Sequence, residues 1–557
     1  MKQSQKIVAL LALGSMLLGC AKDDEKRSPD PIPAAGAVEV KGVLVDIRPF
    51  AVGEKIYPQH NGYTFGTDIE NLFDEEVRYA VGLMESAGPL QARCGSDGKI
   101  VIAADAPDLS AFGWSATGGG FSAGEVAYYI HTLACKAGAW IDIPQYAERE
   151  ISTMVIAPVM RVADTSIPGT VIAKVPELRG RTISNASITV LPDGRYIASC
   201  TGASDGVSLF ASNDKGETWT LIRDDNETLN GIANYYNLFV HNGALYMMGC
   251  GRGGANVYIS RSDDGGLTWS RPDGTSAPEP SQDDADTAAE ADDEAGDGGH
   301  KRSGLLLEGS YHSSTVATAV SGGRIWRAME RKSGDSKLPF VMSAPADADL
   351  LLAENWTLTN EISVASLTLN GETYTEFIEG NVVATPDGRL YNLLRASNKN
   401  TSLTAMLAPI KSITEIAAIS AGNLVNMPGG GKKFTVRYDE QSGRYWAITN
   451  PASSSSQNGS AGKTHNGIYS GGITYDLVRN RLVLIYSTDL QTWYQYKEII
   501  SDKDPFFHGY QYADWQFDGS DIVLVSRTAC PEERGLPVRQ HDANILTFHR
   551  IKNFRTL

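Results

Sequence analysis

From about residue 180 onward, apolar and polar residues alternate in short runs, and a tight glycine turn separates the two runs of each pair. This pattern occurs six times, over residues 187–199, 237–249, 314–329, 381–394, 434–449 and 512–526. Turns such as Asp-Gly and Asn-Gly between alternating runs are the strongest short-range signal for a β-hairpin, because the turn requires positive φ. Six hairpins at this spacing predict a mainly β fold, a six-bladed β-propeller with four strands in each blade.

A second pattern follows the third strand of three of these units. It reads SNDKGETW over residues 212–219, SDDGGLTW over 262–269, and STDLQTW, a shortened copy, over 487–493. An Asp at this position caps backbone N–H groups, a Gly allows the tight turn, and a Trp packs between sheets. We therefore expect a structural turn on the rim of the blade, and no catalytic role for Asp214 or Asp264.

These copies resemble the Asp box, S-x-D-x-G-x-T-W, of the sialidase-like superfamily, and residues 170–557 resemble bacterial secreted BNR-repeat members of that group. The resemblance implies a propeller and a glycosidase of exo-sialidase type. The C-terminal strand, 545–550, is expected to complete the last or first blade and so close the ring. Sialidases hold the substrate carboxylate with three Arg residues, use a Tyr–Glu pair as nucleophile and an Asp as acid/base. Their first Arg lies in a Phe/Tyr-Arg-Ile-Pro motif, and the corresponding stretch here is RGRTIS, containing Arg181 without the rest of the motif.

In a propeller, residues just before the inner strand and at the end of the second strand of each blade line the central cleft. This rule selects Arg, carboxylate, Tyr and His residues, which are the groups that glycan cleavage requires. We expect catalytic roles for Glu379, Asp514, Tyr512 and His312. We expect substrate binding by Arg181, Arg395, Arg527, Lys433 and Asn381. The same rule also selects Tyr235, Arg327 and Glu330, and His541-Asp542 is a further candidate whose alternative role is loop capping.

Two other functions remain open at this point. A polysaccharide lyase would use Tyr or His to abstract the proton next to a uronate carboxylate, and a non-catalytic propeller would bind a glycan at the cell surface. No His/Cys cluster indicates a transition metal, and no Gly-rich nucleotide motif opens a helix, so we expect no cofactor and no metal. The expected partner is a glycan substrate.

The first twenty residues have a basic start and an apolar run from Ile7 to Leu18, as in a secretory signal. The ending Leu17-Leu18-Gly19-Cys20 resembles a bacterial lipobox, which implies lipidation of Cys20. The following Lys-Asp-Asp-Glu run resembles the export signal of surface lipoproteins in the Bacteroidetes, and residues 21–35 indicate an extended linker. We expect a cell-envelope lipoprotein of the outer membrane, exposed at the surface and held by its lipid anchor alone.

Residues 36–165 lack both repeated patterns and predict a small accessory α+β domain. Strands are expected over 38–47, 99–106 and 150–160, and helices over 71–84 and 123–138, where the apolar spacing suits a helix. Five cysteines remain after Cys20, an odd number, and Cys94 with Cys135 is a candidate disulfide in an oxidising compartment. The other three are expected to be small buried apolar residues.

Composition adds two constraints. The chain has 49 basic and 66 acidic side chains and a formal charge of −17, which argues against a nucleic-acid partner. Residues 278–302 hold eight carboxylates between Asp283 and Asp297 without apolar periodicity, and this predicts a disordered acidic surface insert.

Overall fold

The computed structural model describes residues 32–42, 45–56, 63–82, 90–144, 153–163, 166–175, 182–201, 206–223, 228–270, 304–363, 366–452 and 473–556. Within these ranges the regular structure consists of β-strands and short 3-10 helices, without an α-helix, so the predicted mainly β class is confirmed. None of the described helices is long and apolar enough to cross a membrane. The 3-10 helices are Thr67–Ile69, Ser110–Phe112, Arg252–Gly254, Ala353–Asn355, Ala421–Asn423 and Phe554–Thr556. Cys20 and the acidic insert 278–302 lie outside the described residues, so both expectations remain predictions.

The N-terminal part consists of two sheets. One has the strand order β10-β1-β4-β8 and the other β2-β3-β9-β5-β7-β6, and the two sheets share one buried apolar cluster. The strands are β1 (Ala37–Lys41), β2 (Val45–Pro49), β3 (Arg78–Gly82), β4 (Gln91–Cys94), β5 (Gly98–Ala104), β6 (Ser115–Ala123), β7 (Val126–Cys135), β8 (Ile141–Asp142), β9 (Thr153–Ala157) and β10 (Val159–Val162).

The two helices predicted in this part are wrong. The end of the first segment is β3, which lies between β2 and β9 and buries residues on both of its faces, so its apolar residues run without a clear alternation. The second segment is β7, paired with β5 and β6, in which Tyr128 and Ile130 are buried and Tyr129 between them is exposed. Tertiary pairing, which local apolar spacing does not reveal, made both segments strands.

The predicted disulfide between Cys94 and Cys135 is confirmed, and it joins β4 of one sheet to β7 of the other. Cys200, Cys250 and Cys530 are free and buried, as expected. The bridge ties together the two sheets of the N-terminal part, which share no backbone pairing in the described residues.

The strands that follow form antiparallel sheets of consecutive hairpins. The sheets are β12-β13-β14-β15, β16-β17-β18-β19 continuing into β21-β22-β23 with β20 beside β21, β26-β27-β28-β29 with β30 beside β28, β31-β32-β33-β34, the pair β24-β25, and β11-β37-β36-β35. The strands are β11 (Thr170–Lys174), β12 (Ser184–Val190), β13 (Tyr196–Thr201), β14 (Val207–Ser212), β15 (Thr220–Arg223), β16 (Asn234–His241), β17 (Ala244–Cys250), β18 (Ala255–Ser262), β19 (Leu305–His312), β20 (Ala319–Ser321), β21 (Arg324–Ser333), β22 (Ser336–Pro345), β23 (Thr357–Leu358), β24 (Leu367–Leu369), β25 (Glu372–Tyr374), β26 (Glu376–Ala384), β27 (Leu390–Ser397), β28 (Thr404–Ser412), β29 (Glu415–Ile416), β30 (Leu424–Asn426), β31 (Thr435–Asp439), β32 (Arg444–Thr449), β33 (Arg481–Ser487), β34 (Tyr494–Ser501), β35 (Gly509–Asp518), β36 (Asp521–Ala529) and β37 (Ile545–Ile551).

All six predicted hairpins are confirmed. They are β12–β13, β16–β17, β20–β21, β26–β27, β31–β32 and β35–β36, each with antiparallel pairing. Each turn has a glycine with positive φ, a conformation that a side chain would strain. These glycines are Gly194, Gly243, Gly323, Gly388, Gly443 and Gly519.

The C-terminal strand β37 pairs with β36 on one side and with β11, from more than 370 residues earlier, on the other. The first hairpin strand, β12, lies beside both β16 and β35, which begin the second and the last hairpin. The beginning and the end of the hairpin array are therefore packed together, with the last strand covered on both edges.

The N-terminal part shares a hydrophobic core with the hairpin array. Tyr79 and Phe121 belong to the same buried cluster as Phe506, Phe507 and Leu536 of the array. Backbone groups also meet there, since Val162 N donates to the Glu533 carbonyl oxygen over 2.8 Å. The loops around residues 506 and 536 are thus supported from the N-terminal side. The predicted boundary between residues 165 and 170 stays a prediction.

The three Ser-x-Asp turns have the hydrogen bonds expected from the sequence. The Asp264 carboxylate accepts from Thr268 N at 2.9 Å, and Asp214 and Asp489 accept in the same way from the corresponding Thr N–H groups. Trp269 Nε1 donates to the Gly266 carbonyl oxygen at 2.9 Å, and its ring lies in a buried apolar cluster. The predicted capping role of these aspartates is confirmed.

Candidate functional site

Four hairpins share one backbone irregularity near the start of their first strand, where the pairing register shifts. Such bulges redirect side chains, and a left-handed residue other than glycine costs about 1–3 kcal/mol. Antiparallel pairing places all four at the same end of their hairpins, opposite the turns. The left-handed residues are Asn185 (φ 48°), Tyr235 (54°), Glu379 (55°) and Tyr512 (51°). This end of the inner strands, which we call the cleft, therefore presents polar and aromatic side chains from four hairpins.

Two arginines reach the cleft from the second strands. The register pairs Ile378 with Arg395 and Gln511 with Arg527, so each arginine lies beside the residue that precedes a left-handed position. The structure thus brings predicted residues Glu379, Tyr512, Arg395 and Arg527 to one end of neighbouring sheets.

Glu379 and Arg395 form a buried ion pair, with 3.1 Å between Oε2 and Nη1. Arg395 Nε also donates to the Gly431 carbonyl oxygen at 3.0 Å. Burial raises the pKa of Glu379, but Arg395 and His312 outweigh it and hold that pKa below its ordinary value. Burial lowers the pKa of Arg395, but Glu379 and Tyr512 outweigh it and raise that pKa. Both groups are therefore charged at neutral pH.

Tyr512 lies between two further guanidinium groups. The Cζ atom of Arg527 is 4.5 Å from the centroid of the Tyr512 ring, and that of Arg479 is 5.3 Å from it. Arg479 and Arg527 are buried, which lowers their pKa, while Tyr512 and Glu379 favour their charged forms. Tyr512 itself is half-buried. Three arginines consequently act on one tyrosine and one glutamate.

A histidine and an aspartate lie next to these arginines. His541 Nδ1 and Asp542 Oδ1 are 2.7 Å apart, and the His541 carbonyl oxygen accepts from Arg527 Nη2 at 3.2 Å. The hydrogen bond with Asp542 raises the pKa of His541, but burial together with Arg479 and Arg527 outweighs it, so the pKa is lowered. Burial raises the pKa of Asp542, but His541 and Arg539 bring it down to about 2. This pair is a neutral imidazole held by an ionised carboxylate at neutral pH.

His312, predicted as catalytic, forms a second histidine–carboxylate pair. Its Nδ1 lies 2.8 Å from Oε2 of Glu330, and both side chains are buried. The rings of His312 and Tyr235 are 4.5 Å apart between centroids. Tyr235 interacts electrostatically with both Tyr512 and Glu379, so this pair belongs to the same cleft.

Asp514, the second predicted catalytic carboxylate, has a different role in the structure. Its Oδ2 accepts from Ser187 Oγ at 2.6 Å and from Ile188 N at 3.0 Å, and the side chain is 2% exposed. These contacts join β35, the first strand of the last hairpin, to β12, the first strand of the first hairpin. The expectation that Asp514 shares a face with Tyr512 fails because the bulge between them breaks the two-residue alternation.

Asn381 and Lys433, predicted to bind substrate, also join neighbouring strands. Asn381 Oδ1 accepts from Val436 N at 3.1 Å, and its Nδ2 donates to the Phe434 carbonyl oxygen. Lys433 Nζ donates to the Ala513 carbonyl oxygen at 2.7 Å, and burial lowers its pKa to about 8. Both side chains are buried and use their polar atoms to hold backbone groups of neighbouring strands, so we assign them a structural role.

Arg181 lies outside the described residues, and its predicted contact with substrate stays a prediction. Arg479, by contrast, was not predicted. It precedes the third strand of its unit, β33, whereas the sequence rule considered only the first two strands of each hairpin. In the described ranges no group of three or more His, Cys, Asp or Glu residues is arranged to hold a metal ion.

Chemically, this arrangement combines an anion-binding group with proton-transfer groups. The arginines attract an anion, and Tyr512 and the ionised Glu379, which act on the same arginines, are an oxygen nucleophile and a base. His312 with Glu330, and His541 with Asp542, add two histidines that a carboxylate orients.

Solved structures similar to this chain include glycosidases. An α-L-arabinanase of Penicillium chrysogenum, in complex with arabinobiose, is 12% identical over 70% of this chain and 99% of its own, with a TM-score of 0.40. The GH93 α-L-arabinofuranosidase of Fusarium graminearum, with arabinobiose, is 10% identical over 69% and 97%, at 0.41. The Hadza microbial sialidase Hz136 is 13% identical over 78% and 77%, at 0.39.

No protein-family model matches the chain, and no curated protein sequence matches it. With TM-scores below 0.5, the three likenesses are partial.

Proposed function

We propose that the chain is a glycoside hydrolase that releases a terminal acidic sugar of the sialic acid class from a glycan. The observation that carries this proposal is the convergence of Arg395, Arg479 and Arg527 on Tyr512 and Glu379. Three guanidinium groups give this part of the cleft an excess of positive charge, and guanidinium forks match a carboxylate in geometry. A sugar that carries a carboxylate fits this environment.

Tyr512 is the nucleophile in this proposal. A carboxylate attached to the anomeric carbon repels an anionic nucleophile, whereas a tyrosine hydroxyl approaches uncharged, and tyrosine serves this purpose in sialidases. The hydroxyl proton passes to Glu379 as the Tyr512 oxygen attacks the anomeric carbon. Arg479 and Arg527, beside the ring, stabilise the negative charge that develops on the phenolic oxygen.

The same proposal includes a propeller with six blades, one for each confirmed hairpin. Support comes from the contact of β12 with both β16 and β35, and from the pairing of β37 with β11. In such a ring the starts of the inner strands point to one end of a central axis, where a cleft can enclose a sugar.

On the basis of the N-terminal signal sequence, we propose that the enzyme lies at the outer surface of the cell envelope. The supporting features are the apolar run that ends in Cys20 and the charged run after it. The test is metabolic labelling with an alkyne fatty acid, followed by protease treatment of intact cells. Labelling of the wild type but not of Cys20→Ser, with loss of the protein on protease treatment, is expected. Protection from protease would place the protein inside the envelope.

The experiment that tests the activity is a digest of a glycan panel by the purified chain, read by mass spectrometry. The panel contains sialylated and uronate-containing oligosaccharides. Release of a sugar with the addition of water from the sialylated members is expected. Glu379→Gln should abolish release, because the base is lost. Glu376→Gln, on the same strand and paired with Lys337 at the surface, is the matched control and should keep full turnover.

Other outcomes would identify a different function. An unsaturated product from a uronate glycan would identify a lyase. Binding to glycans without any product from the wild type would identify a surface binding protein. Full activity of Glu379→Gln with an unchanged melting temperature would remove Glu379 from the mechanism.

A further inference from the structure

The His312–Glu330 pair is arranged so that one imidazole nitrogen is fixed and the other is left available. A carboxylate is an acceptor, so the 2.8 Å contact with Glu330 Oε2 makes Nδ1 the donor and fixes the ring. Nε2, on the other side of the ring, forms no hydrogen bond with the residues that the structure describes and is not one of the buried polar atoms without a partner, so a ligand can reach it.

Glu330 is also in an unusual environment for a structural residue. Its side chain is fully buried, and Oε1 has no hydrogen-bond partner in the described part of the chain. Arg327, also fully buried, offsets its charge electrostatically without a direct contact being present between the two. Leaving a carboxylate oxygen unpaired in the interior is costly, and such groups concentrate at sites where charge changes during function.

The imidazole lies on the cleft side of this pair. Its ring packs on Tyr235, whose left-handed backbone is one of the four that turn side chains into the cleft. His312 also acts electrostatically on Glu379, the base of the proposed reaction. The available Nε2 therefore lies on the side of the ring away from Glu330, and the ring is near enough to Glu379 to act on its charge.

The remaining carboxylates of the cleft are poor proton donors. Arg395 and His312 hold the pKa of Glu379 below its ordinary value despite burial, and the pKa of Asp542 is about 2. The Asp514 carboxylate already accepts hydrogen bonds from Ser187 Oγ and Ile188 N. A histidine, by contrast, ordinarily exchanges its proton near neutral pH.

We infer that His312 is the general acid and base of the reaction and that Glu330 is its positioning residue, an inference that rests on the proposed hydrolase activity. In the first step the bond from the anomeric carbon to the leaving oxygen breaks as that oxygen takes the proton from Nε2, and Tyr512 bonds to the carbon. In the second step water attacks the carbon, gives its proton to Nε2, and the bond to Tyr512 breaks. Tyr512 regains its proton from Glu379, so no other reactant is consumed.

The test compares two glycosides of N-acetylneuraminic acid that differ in the leaving group. The 4-methylumbelliferyl glycoside leaves as a stabilised phenolate, which needs little protonation, whereas the methyl glycoside leaves as an alkoxide, which needs the acid. His312→Asn should lower kcat on the methyl glycoside by about 10²–10⁴-fold and on the 4-methylumbelliferyl glycoside by less than about 10-fold. Glu330→Gln should show the same selectivity to a smaller extent, with KM unchanged. His241→Asn, at the hairpin-turn end of β16, is the matched control and should affect neither substrate.

Glu379→Gln, measured in parallel, separates the two proposals. If Glu379→Gln inactivates the enzyme on both glycosides while His312→Asn lowers both equally, the assignment of His312 is overturned and the hydrolase stands. If the wild type hydrolyses neither glycoside, the proposed function falls and the inference with it. Selective loss on the methyl glycoside, with melting temperatures within a few degrees of the wild type, supports the inference.

Discussion

The Ser-x-Asp turns and the cleft use the same kinds of residue for opposite purposes. At the turns, Asp264 and Thr268 are four residues apart, and the carboxylate is satisfied by the N–H groups of its own turn. In the cleft, Glu379 meets an arginine 16 residues away and acts on groups from other hairpins. At the turns the carboxylate stabilises its own loop through local hydrogen bonds. In the cleft, charged groups are held together by residues with a strained backbone, which costs free energy.

This difference distinguishes structural from functional carboxylates within a repetitive fold. A carboxylate whose acceptors are all filled by its own loop has nothing left with which to act on a ligand. Glu379 has a guanidinium partner and Glu330 has an unpaired oxygen, so both keep interactions available for a changing charge.

The largest effect is expected for Tyr512→Phe. Loss of the hydroxyl removes the nucleophile, and turnover of the 4-methylumbelliferyl glycoside should fall by about 10³-fold or more. The ring remains, so the contacts with Arg479 and Arg527 persist and the melting temperature should stay close to that of the wild type. Tyr494→Phe, at an exposed position of β34, is the control and should be fully active. Turnover by Tyr512→Phe at more than a tenth of the wild-type rate would exclude Tyr512 as the nucleophile.

A smaller effect is expected for Arg479→Lys. Lysine keeps the charge but loses the fork and the planar contact with Tyr512, so KM should rise and kcat/KM should fall by about 10–100-fold. Arg481→Lys, two residues later and paired with Glu498 nearer the surface, should leave both constants unchanged. Steady-state kinetics on the same glycoside measures this difference. Equal effects of the two substitutions would place Arg479 outside the substrate site.

At the turns, the expected effect is on stability alone. Asp264→Ala removes the cap of a turn and should lower the free energy of unfolding by about 1 kcal/mol, with kcat and KM unchanged. Asp263→Ala changes the neighbouring exposed residue, which pairs with Arg261 at the surface, and should have no measurable effect. Denaturant unfolding followed by fluorescence separates the two. A loss of activity in Asp264→Ala at unchanged stability would contradict the division between turns and cleft.

The smallest effect concerns pH. Hydrogen bonds from Thr218 hold the pKa of Asp214 at about 2, below its ordinary value of 3.8. Because the folded pKa is the lower one, the stability that Asp214 adds is fully present above pH 4 and is lost as pH falls towards 2. The difference in melting temperature between the wild type and Asp214→Asn should therefore shrink over this interval. A difference that stays constant between pH 5 and pH 2.5 would show that the capping does not depend on the charge.

Prediction from the sequence succeeded where the information was local. The six hairpins followed from glycine turns between alternating runs, because the positive φ at Gly243 or Gly388 is a property of the residue itself. The capping by Asp214 and Asp264 followed from spacing within eight residues. The resemblance to the sialidase-like superfamily added the expectation of a Tyr–Glu pair and of arginines in the cleft.

Where partners come from distant strands, the sequence was insufficient. Alternation placed Asp514 with Tyr512, but a bulge sends Asp514 to Ser187 of another hairpin. Within the helices expected over 71–84 and 123–138, residues 78–82 and 126–135 are strands, because neighbouring strands supply the backbone pairing. Arg479 was not predicted, because its contact with Tyr512 depends on the path of the loop before β33.

The turns and the hairpins thus follow from the amino-acid sequence alone, since they depend on backbone preferences within a few residues. The sequence also supplies the residue types that are available for chemistry. The tertiary structure alone decided which of those residues meet. Glu379, Arg479, Tyr512 and His312 are brought together by the packing of separate hairpins and by bulges at the strand starts. Contacts over such separations depend on the whole arrangement of sheets, which no short stretch of sequence specifies.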